Sequence, residues 1–323
     1  MKALVTGAAG FIGSSISARL LTDGHEVLGV DAFTDYYATE IKRHNVERLP
    51  RDRFELIEAD LNDLELTSLL RDIDVVFHQA GQPGVRESWG TGFGSYIAQN
   101  IAATQALLEA ARHAPRLTRF VYASSSSVYG EAESYPTRET DRPQPKSPYG
   151  VTKLAGEHLV TLYGRNFGVP TTSLRYFTVY GPHQRPDMAF TRFLRAAVEN
   201  GVIRVFGSGE QVRDFTFIDD IVEANLRAAA VDHEPGSVFN VAGGGQVSVN
   251  EVLEIIEGLV GHPLHVERTG AAAGDVTRTA GATERIEAAL GWHATTDVEQ
   301  GLRAQYAWAA DAAPLLSRSI HWN

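Results

Sequence analysis

The residues best suited to chemistry in this sequence are a tyrosine and a lysine four positions apart, Tyr149 and Lys153, in the segment SPYGVTK. Pro148 is typical of the first turn of a helix, and residues at i and i+4 lie on one helical face. A tyrosine hydroxyl titrates near pH ~10, and a neighbouring ammonium group favours the phenolate and lowers that pKa. The spacing therefore predicts a base that removes a proton from a substrate hydroxyl, although such a pair is also common on an exposed helix face.

Composition limits the classes of protein to consider. The chain has 323 residues, 43% of them hydrophobic, which is enough for two domains or lobes. Its formal net charge of -11 argues against binding to nucleic acid or to an anionic membrane. Cysteine is absent and the eleven histidines lack the spacing of zinc ligands, so we expect no disulfide and no metal site.

Hydropathy and the start of the chain bear on localisation. No apolar run approaches the ~20 residues of a membrane span. The sequence enters a predicted strand almost at once, which leaves no room for a signal peptide. We therefore expect a cytoplasmic protein.

Alternating patterns organise the chain. Short apolar runs alternate with helical patterns over the first ~180 residues, which predicts a parallel sheet. Predicted strands cover residues 2–6, 25–31, 54–58, 75–78, 120–124 and 171–175, with helices at 11–22, 96–113 and 149–167. Beyond Tyr180, a smaller α/β lobe is predicted, with a strand at 203–206 and helices at 188–200, 218–230, 250–260 and 296–310. We expect a first domain at 1–180 and a second lobe at 181–323, interleaved so that some segments return to the first domain.

A glycine-rich turn follows the first predicted strand. Gly7, Gly10 and Gly13 allow a tight turn, close approach of the backbone to a pyrophosphate, and phosphate binding at a helix N-terminus. Asp31 ends the second strand about twenty residues later, where a carboxylate accepts both ribose hydroxyls. Residues 32–34 contain no arginine for a 2′-phosphate, which favours NAD over NADP. A bound nicotinamide cation would add to the effect of Lys153 on the tyrosine pKa while hydride leaves the same carbon.

Two further strand ends belong to the predicted cofactor site. Asp60 with Leu61 is expected to hold the adenine edge. An equally good interpretation is that the Asp60 carboxylate caps a helix. His78 is interpreted as a packed polar residue and not as a catalyst. The residues after it let the backbone pass close to the cofactor: Gln79, Ala80 and Gly81.

Together these segments resemble the extended short-chain dehydrogenase/reductase family over nearly the whole chain. The resemblance is carried by TGAAGFIG at 6–13, Asp31, Asp60, HQAG at 78–81, Asn100, SSSSVYG at 124–130, YGVTK at 149–153 and RYFTVYG at 175–181. It implies an NAD-binding, doubly wound parallel sheet of Rossmann type with a smaller C-terminal α/β lobe for a nucleotide sugar. It also implies cofactor contacts at Phe11, Ile12 and Tyr176, with Asn100 nearby to join helix and sheet.

The same resemblance implies roles in catalysis. Tyr149 is expected to be the acid/base, and Lys153 is expected to orient the cofactor ribose. A hydroxyl among Ser125, Ser126 and Ser127 is expected to hold the substrate oxygen. The alternative for the serines is a polar strand end that satisfies its own backbone.

Narrower features resemble the UDP-glucuronate 4-epimerases. These are FTVYGP at 177–182, RPDMA at 185–189, DYY at 35–37 and GVR at 84–86, which ends in Arg86. Arg213 resembles the arginine that meets the UDP pyrophosphate, and Asp275 matches a contact to the uridine ribose. Phe206 is expected either to stack on uracil or to be buried in the lobe core.

The serine run separates the reactions of this family. Dehydratases carry an Asp-Glu pair in place of Ser126 and Ser127, and decarboxylases of UDP-glucuronate carry Glu in place of Ser127. Hydroxyls hold a carboxylate without repelling it and provide no base for C5. We expect the uronate carboxylate to be held by Ser126, Ser127 and Thr178, with Arg185 as a cation. In the alternative interpretation, Thr178 packs beside a strand and Arg185 bridges loops.

The predicted activity is C4 epimerisation of UDP-glucuronate to UDP-galacturonate through a 4-keto intermediate, without loss of carbon dioxide. Alternatives are a UDP-glucose 4-epimerase, a UDP-glucuronate decarboxylase and, outside enzymes, an NAD-sensing regulator of the same fold. By the same resemblance, helices 96–113 and 149–167 would form a homodimer interface.

Overall fold

The computed structural model describes residues 1–270 and 276–317. The strands are β1 Lys2–Thr6, β2 Glu26–Asp31, β3 Phe54–Glu58, β4 Val75–His78, β5 Arg119–Ser125, β6 Thr171–Tyr176, β7 Thr178–Tyr180, β8 Val202–Phe206, β9 Val212–Phe217, β10 Ser237–Val241, β11 Gly245–Ser248 and β12 His265–Thr269. The helices are α1 Phe11–Thr22, α2 Thr39–Glu47, α3 Leu66–Leu69, α4 Phe93–Tyr96, α5 Ala103–Ala111, α6 Pro148–Phe167, α7 Ala189–Val198, α8 Ile218–Ala230, α9 Val249–Val260, α10 Glu284–Leu290, α11 Val298–Asp311 and α12 Ala313–Ser317. A π-helical segment, Ile97–Ala102, joins α4 to α5.

A seven-stranded sheet in the order β3-β2-β1-β4-β5-β6-β10 forms the main body, and all its pairings are parallel. Its strands are rich in buried apolar residues because both faces are covered. One face packs against α1 and α8, and the other against α3, α5 and α6. The predicted doubly wound α/β fold is therefore confirmed. The strand order reverses between β1 and β4, which places the expected crevice at their carboxyl ends.

The strands predicted in the first part of the chain are confirmed, with shifts of one residue at the ends of β2, β5 and β6. The predicted helix 96–113 begins earlier, at Phe93, and contains the unpredicted π-helical segment. Several short elements were missed, among them β10, whose five residues lie at the sheet edge beside β6.

The second part of the chain contributes two small sheets, β11-β9-β7 and β12-β8. It also returns to the first body, since α8 packs on α1 and β10 pairs with β6. Residues 218–241 therefore lie with the main sheet although they follow Tyr180. Within the described residues, no helix is long and apolar enough to cross a membrane.

Helix α6 lies unusually close to β5. It begins at Pro148, and the N-cap Ser147 accepts a hydrogen bond from the Gly150 amide at 3.1 Å. A Cβ atom on Gly150 would lie 2.6 Å from the Ser127 carbonyl oxygen, and one on Gly156 would overlap the Tyr122 hydroxyl. Both contacts require glycine, and they bring the Tyr149–Lys153 face against the end of the sheet.

Gly156→Ala should lower the free energy of unfolding by about 1–3 kcal/mol, because the added methyl overpacks the contact between α6 and β5. Gly258→Ala is the control, since Gly258 lies in α9 with open space around its Cβ position. There the better helix former should raise stability by up to about 1 kcal/mol. Urea unfolding of both variants measures the difference, and equal stability changes would disprove the close contact.

Candidate active site

A cleft of about 1150 Å³ opens at the carboxyl ends of the central strands; we call it the larger cleft. It brings together most of the predicted cofactor residues, namely Gly7, Gly10, Phe11, Ile12, Gly13, Asp31, Leu61, Gln79, Ala80, Gly81, Tyr149, Lys153 and Tyr176. These residues lie up to 169 positions apart in sequence (176 − 7) and meet because parallel strands end at one edge of the sheet.

The glycine turn forms one wall of the larger cleft. Gly7 has φ +68°, and its amide donates to the Val30 carbonyl at 2.7 Å. A Cβ on Gly7 would lie 2.8 Å from the Ala80 nitrogen, and one on Gly13 would overlap the Gly7 carbonyl. Gly10 caps α1 without any side-chain acceptor, so the first-turn amides face the cleft unscreened by a capping group. This geometry suits a diphosphate.

Asp31 stands at the end of β2 with its carboxylate fixed by the backbone. Its two oxygens accept hydrogen bonds from the amides of Ala9 at 3.0 Å and Phe33 at 2.8 Å. Each carboxylate oxygen keeps capacity for another donor, as ribose hydroxyls would require. Lys42, which the cofactor prediction did not include, lines the same cleft, and its ammonium donates to the Thr34 carbonyl at 2.8 Å. The diphosphate wall and this carboxylate together fit a dinucleotide.

Two predicted cofactor residues, Asp60 and Asn100, are not part of the lining of the larger cleft. The Asp60 carboxylate caps the turn Leu61–Asp63, accepting from the Asn62 amide at 2.9 Å and from the Gln99 side chain. Asn100 accepts from the Gln82 amide at 2.7 Å and donates to Thr152 at 2.9 Å. Asp60 therefore caps the turn, and its contact to adenine stays a prediction; Asn100 joins α6 to the loop at Gln82, where a link between helix and sheet was expected.

His78 is a packed residue, as the sequence indicated. It is fully buried, and its ring nitrogens bond to the hydroxyls of Thr6 at 2.7 Å and Thr104 at 2.9 Å. Burial lowers the pKa of His78 to about 3, so the ring is neutral at physiological pH.

Tyr149 and Lys153 face the larger cleft from α6. Burial raises the pKa of Tyr149, while a hydrogen bond with Ser125 and the charge of Arg185 lower it. Burial lowers the pKa of Lys153 to about 8, and the Glu157 carboxylate raises it. Among the protein's own groups burial dominates at Tyr149, and the lowering of its pKa by Lys153 together with a bound nicotinamide cation stays a prediction.

A smaller cleft of about 640 Å³ shares the segments 124–127 and 147–149 with the larger one. It brings together Ser126, Ser127, Thr178 and Arg213, as predicted for one substrate site. Ser127 is held by its amide, which donates to the Ser125 hydroxyl at 3.1 Å. Among the described residues, the lining carries hydroxyl groups and two cations but no carboxylate.

The second of these cations is Lys146, which the sequence reasoning missed. Its ammonium lies 3.0 Å from a Glu131 oxygen in the loop that leads to α6. Its position directly before the Ser147 cap was a usable signal, because the residue before a helix N-cap lies at the same end of the helix as Tyr149.

Three predicted substrate residues, Arg185, Phe206 and Arg86, lie outside the lining of the smaller cleft. Arg185 lines the larger cleft, and its guanidinium forms two bonds with Asp187, at 2.9 and 2.8 Å. Phe206 has the Arg86 guanidinium 4.2 Å and the Arg192 guanidinium 5.7 Å from its ring centre. Phe206 is only partly buried, so it is not the core residue of the alternative interpretation. Asp275 lies outside the described residues.

Comparisons with known proteins agree with this fold. Residues 3–242 match the model of the NAD dependent epimerase/dehydratase family. The chain is 42% identical over 310 residues to an uncharacterized UDP-glucose epimerase of Bacillus subtilis (strain 168), covering 95% of this chain and 98% of the relative. It is 38% identical over 332 residues to UDP-glucuronate 4-epimerase 2 of Arabidopsis thaliana, covering 95% of this chain and 75% of the relative.

Solved structures give the same result. UDP-glucuronic acid 4-epimerase from Bacillus cereus, in complex with UDP-glucuronic acid and NAD, superposes with a TM-score of 0.93 at 41% identity, covering 96% of this chain and 99% of that one. The protein belongs to the NAD-dependent epimerase/dehydratase family. The expected extended short-chain dehydrogenase/reductase fold is thereby confirmed.

Asp187→Asn should destabilise the protein at pH 7 by about 1–3 kcal/mol, less than the 3–5 kcal/mol of a fully buried pair. Burial raises the pKa of Asp187, but Arg185 outweighs it and holds the pKa below its ordinary value. A carboxyl whose pKa is lowered by folding stabilises the folded protein at pH values above its pKa in the unfolded chain, near 3.8. This contribution is lost as the pH falls through its pKa in the folded protein.

Unfolding from pH 2 to 7 measures this effect. Asp23→Asn, which breaks the exposed pair with Arg19, is the control and should cost about 0–1 kcal/mol. A loss no greater in Asp187→Asn than in Asp23→Asn, or an unchanged acid dependence, would contradict the ion pair.

Proposed function

We propose that this protein catalyses the NAD-dependent C4 epimerisation of UDP-glucuronate to UDP-galacturonate and retains the carboxylate. The observation that carries the proposal is the lining of the smaller cleft, where hydroxyls and two cations adjoin the Tyr149–Lys153 face. Relatives named UDP-glucuronate 4-epimerase, and the Bacillus cereus complex with UDP-glucuronic acid and NAD, support it.

In this proposal the larger cleft holds the dinucleotide. The amides at the start of α1 would bind its diphosphate. The Asp31 carboxylate would accept hydrogen bonds from the hydroxyls of the adenosine ribose. The Lys153 ammonium donates to the nicotinamide ribose. Bound NAD would supply the hydride acceptor and donor for C4 and the positive charge that Tyr149 needs nearby.

Tyr149 is proposed as the proton acceptor at O4. Its hydroxyl bonds with Ser125, which places both groups where a substrate hydroxyl can reach them. Tyr149 would take the O4 proton while NAD, if bound in the larger cleft, accepts hydride from C4, which would leave a 4-keto sugar. Tyr149 would return the proton as the same hydride comes back to the opposite face of the ring, and the configuration would be inverted.

The contacts that hold the uronate carboxylate decide which product forms. A 4-keto uronate is a β-keto acid and loses carbon dioxide when its C–C bond aligns with the carbonyl π-system. Ser126, Ser127 and Thr178 are proposed to hold the carboxylate in the ring plane, where that overlap is poor. Among the described lining residues no carboxylate is placed to act as a base for C5 or as an acid for a leaving group.

Inversion also requires the sugar to turn while the nucleotide stays bound. We assign the firm contacts to UDP, through Arg213 for the diphosphate and through Phe206 with Arg86 for the uridine end. The sugar then meets mainly small hydroxyls. This division lets the ring present its other face without release of the nucleotide.

Incubation with UDP-glucuronate and NAD should yield UDP-galacturonate on anion-exchange chromatography. Tyr149→Phe should reduce kcat by at least about a thousandfold while it preserves NAD binding, because acid–base catalysis is lost with one oxygen atom. Tyr163→Phe, which removes a hydroxyl on the same helix that bonds with Gln105 outside both clefts, is the control and should keep full turnover.

Four results would each decide against part of this proposal. A UDP-pentose product would indicate decarboxylation, and turnover of UDP-glucose alone would indicate a UDP-glucose 4-epimerase. NAD binding with no turnover of either nucleotide would favour a regulatory protein. Full activity of Tyr149→Phe would remove that residue from the mechanism.

We further propose a homodimer formed through α6 and the helical stretch 93–111. Their outer faces expose large apolar residues, with Ile97 44%, Val151 48% and Leu162 51% accessible. Val151 and Leu162 are eleven residues apart, three helical turns along the same face of α6. A second copy of this face would bury them.

Val151→Glu with Leu162→Glu should convert the dimer to a monomer in sedimentation velocity, because four charges would enter the interface. Val202→Glu is the control, since Val202 is similarly exposed, at 49%, but lies on β8. A monomeric wild-type protein, or an unchanged mass in the double variant, would rule out this interface.

A further inference from the structure

A buried ion pair lies one helical turn beyond Lys153. Arg175 on β6 makes two bonds to Glu157 on α6, from Nε to Oε2 at 2.9 Å and from Nη2 to Oε1 at 2.6 Å. The residues are 4% and 2% exposed, so both charges are removed from water. Such a pair is seldom more stable than apolar residues of the same volume, which suggests a role beyond stability.

The pair connects the elements that carry the proposed active site. Ser124 on β5 donates to Glu157 Oε2 at 2.6 Å, directly before the serines of the smaller cleft. Arg175 Nη1 donates to the Tyr129 hydroxyl at 2.6 Å, and that hydroxyl donates to Asn240 on β10 at 2.7 Å. A single carboxylate therefore fixes α6 relative to both β5 and β6.

From this geometry we infer that Glu157 is a positioning residue of the active site, which holds the serine segment and the charged Lys153 in register. The inference deepens the proposed function and rests on it for the role of Lys153. Glu157 touches neither cleft, so it acts through Ser124 and through its charge.

The electrostatic part follows from what surrounds Lys153. Lys153 interacts with Glu157 on α6, Tyr122 on β5 and His78 on β4, and it shares the cleft lining with Tyr149 and Ser124 and the surroundings of Gly81 with Asn100. Of these, only the Glu157 carboxylate carries negative charge near neutral pH. Burial lowers the pKa of Lys153 to about 8, and Glu157 opposes that change.

The charge of Glu157 determines the direction in which the pKa of Lys153 changes. The ammonium form of Lys153 exists below its pKa and is lost as the pH rises through it. Removal of the negative charge at Glu157 lowers this pKa further. Any property that needs the ammonium, such as a charge-assisted bond to a ribose hydroxyl, is then lost at lower pH.

The test is the pH dependence of NAD affinity, measured by calorimetry from pH 6 to 10 on the full chain. Glu157→Gln should move the alkaline loss of affinity to lower pH by at least ~0.5 unit, and weaken binding at pH 8 by at least about twofold. Glu157→Asp keeps the charge and should leave the midpoint in place. Ile256→Ala, a buried change in α9 away from both clefts, controls for lowered stability.

Should Glu157→Gln not fold, Glu157→Gln with Arg175→Gln removes both charges and should give the same shift. A midpoint that stays at the wild-type pH in the neutral variants, with only the melting temperature lowered as in Ile256→Ala, would overturn the inference. Calorimetry does not depend on turnover. A shifted midpoint in a protein that fails to epimerise UDP-glucuronate would therefore contradict the proposed function and leave the role of Glu157 standing.

Discussion

The close contact between α6 and the end of β5 is the constraint on which the site depends. One element carries Tyr149 and Lys153, and the other leads into the serine segment, so their separation sets the distance between base and hydroxyls. Gly150 and Gly156 permit that contact, and the Ser147 cap fixes where the helix begins. A side chain larger than hydrogen at either glycine would move the helix away from the strand.

Burial at this contact acts on two groups with opposite results. It raises the pKa of the Tyr149 phenol and lowers that of the Lys153 ammonium to about 8, so the lysine value falls below the tyrosine value. In both residues the neutral form gains from removal of water. Neighbouring groups oppose both shifts: Ser125 and Arg185 lower the pKa of Tyr149, and Glu157 raises the pKa of Lys153. The chemistry thus depends on a few fixed charges in a poorly solvated cleft.

Features with local patterns could be predicted from the sequence. The first glycine turn, the strands of the first domain and α6 all follow from periodicity, glycine spacing and a Pro148 start, and the structure contains them. His78 was also interpreted correctly, because a histidine at the end of a buried strand has polar neighbours in the packed layer.

Features that depend on distant partners could not be predicted. Arg185 was expected either to hold the uronate or to bridge loops; it lines the larger cleft, together with residues from distant strand ends, and pairs there with Asp187. The strand β10 gains its place only by pairing with β6, more than sixty residues earlier. Lys146 could be placed near Tyr149 from its position before the Ser147 cap, but not beside Ser126 and Arg213, because those residues come from distant segments of the chain.

The most direct test follows the hydrogen at C4 of the sugar. UDP-glucuronate deuterated at C4 is incubated with the protein and NAD in ordinary water, and the product is examined by proton NMR. Deuterium retained at C4 of UDP-galacturonate, with the configuration inverted, is the expected result, because the same hydride leaves and returns within one closed site. Protium from solvent at C4, release of carbon dioxide, or unchanged configuration would contradict it.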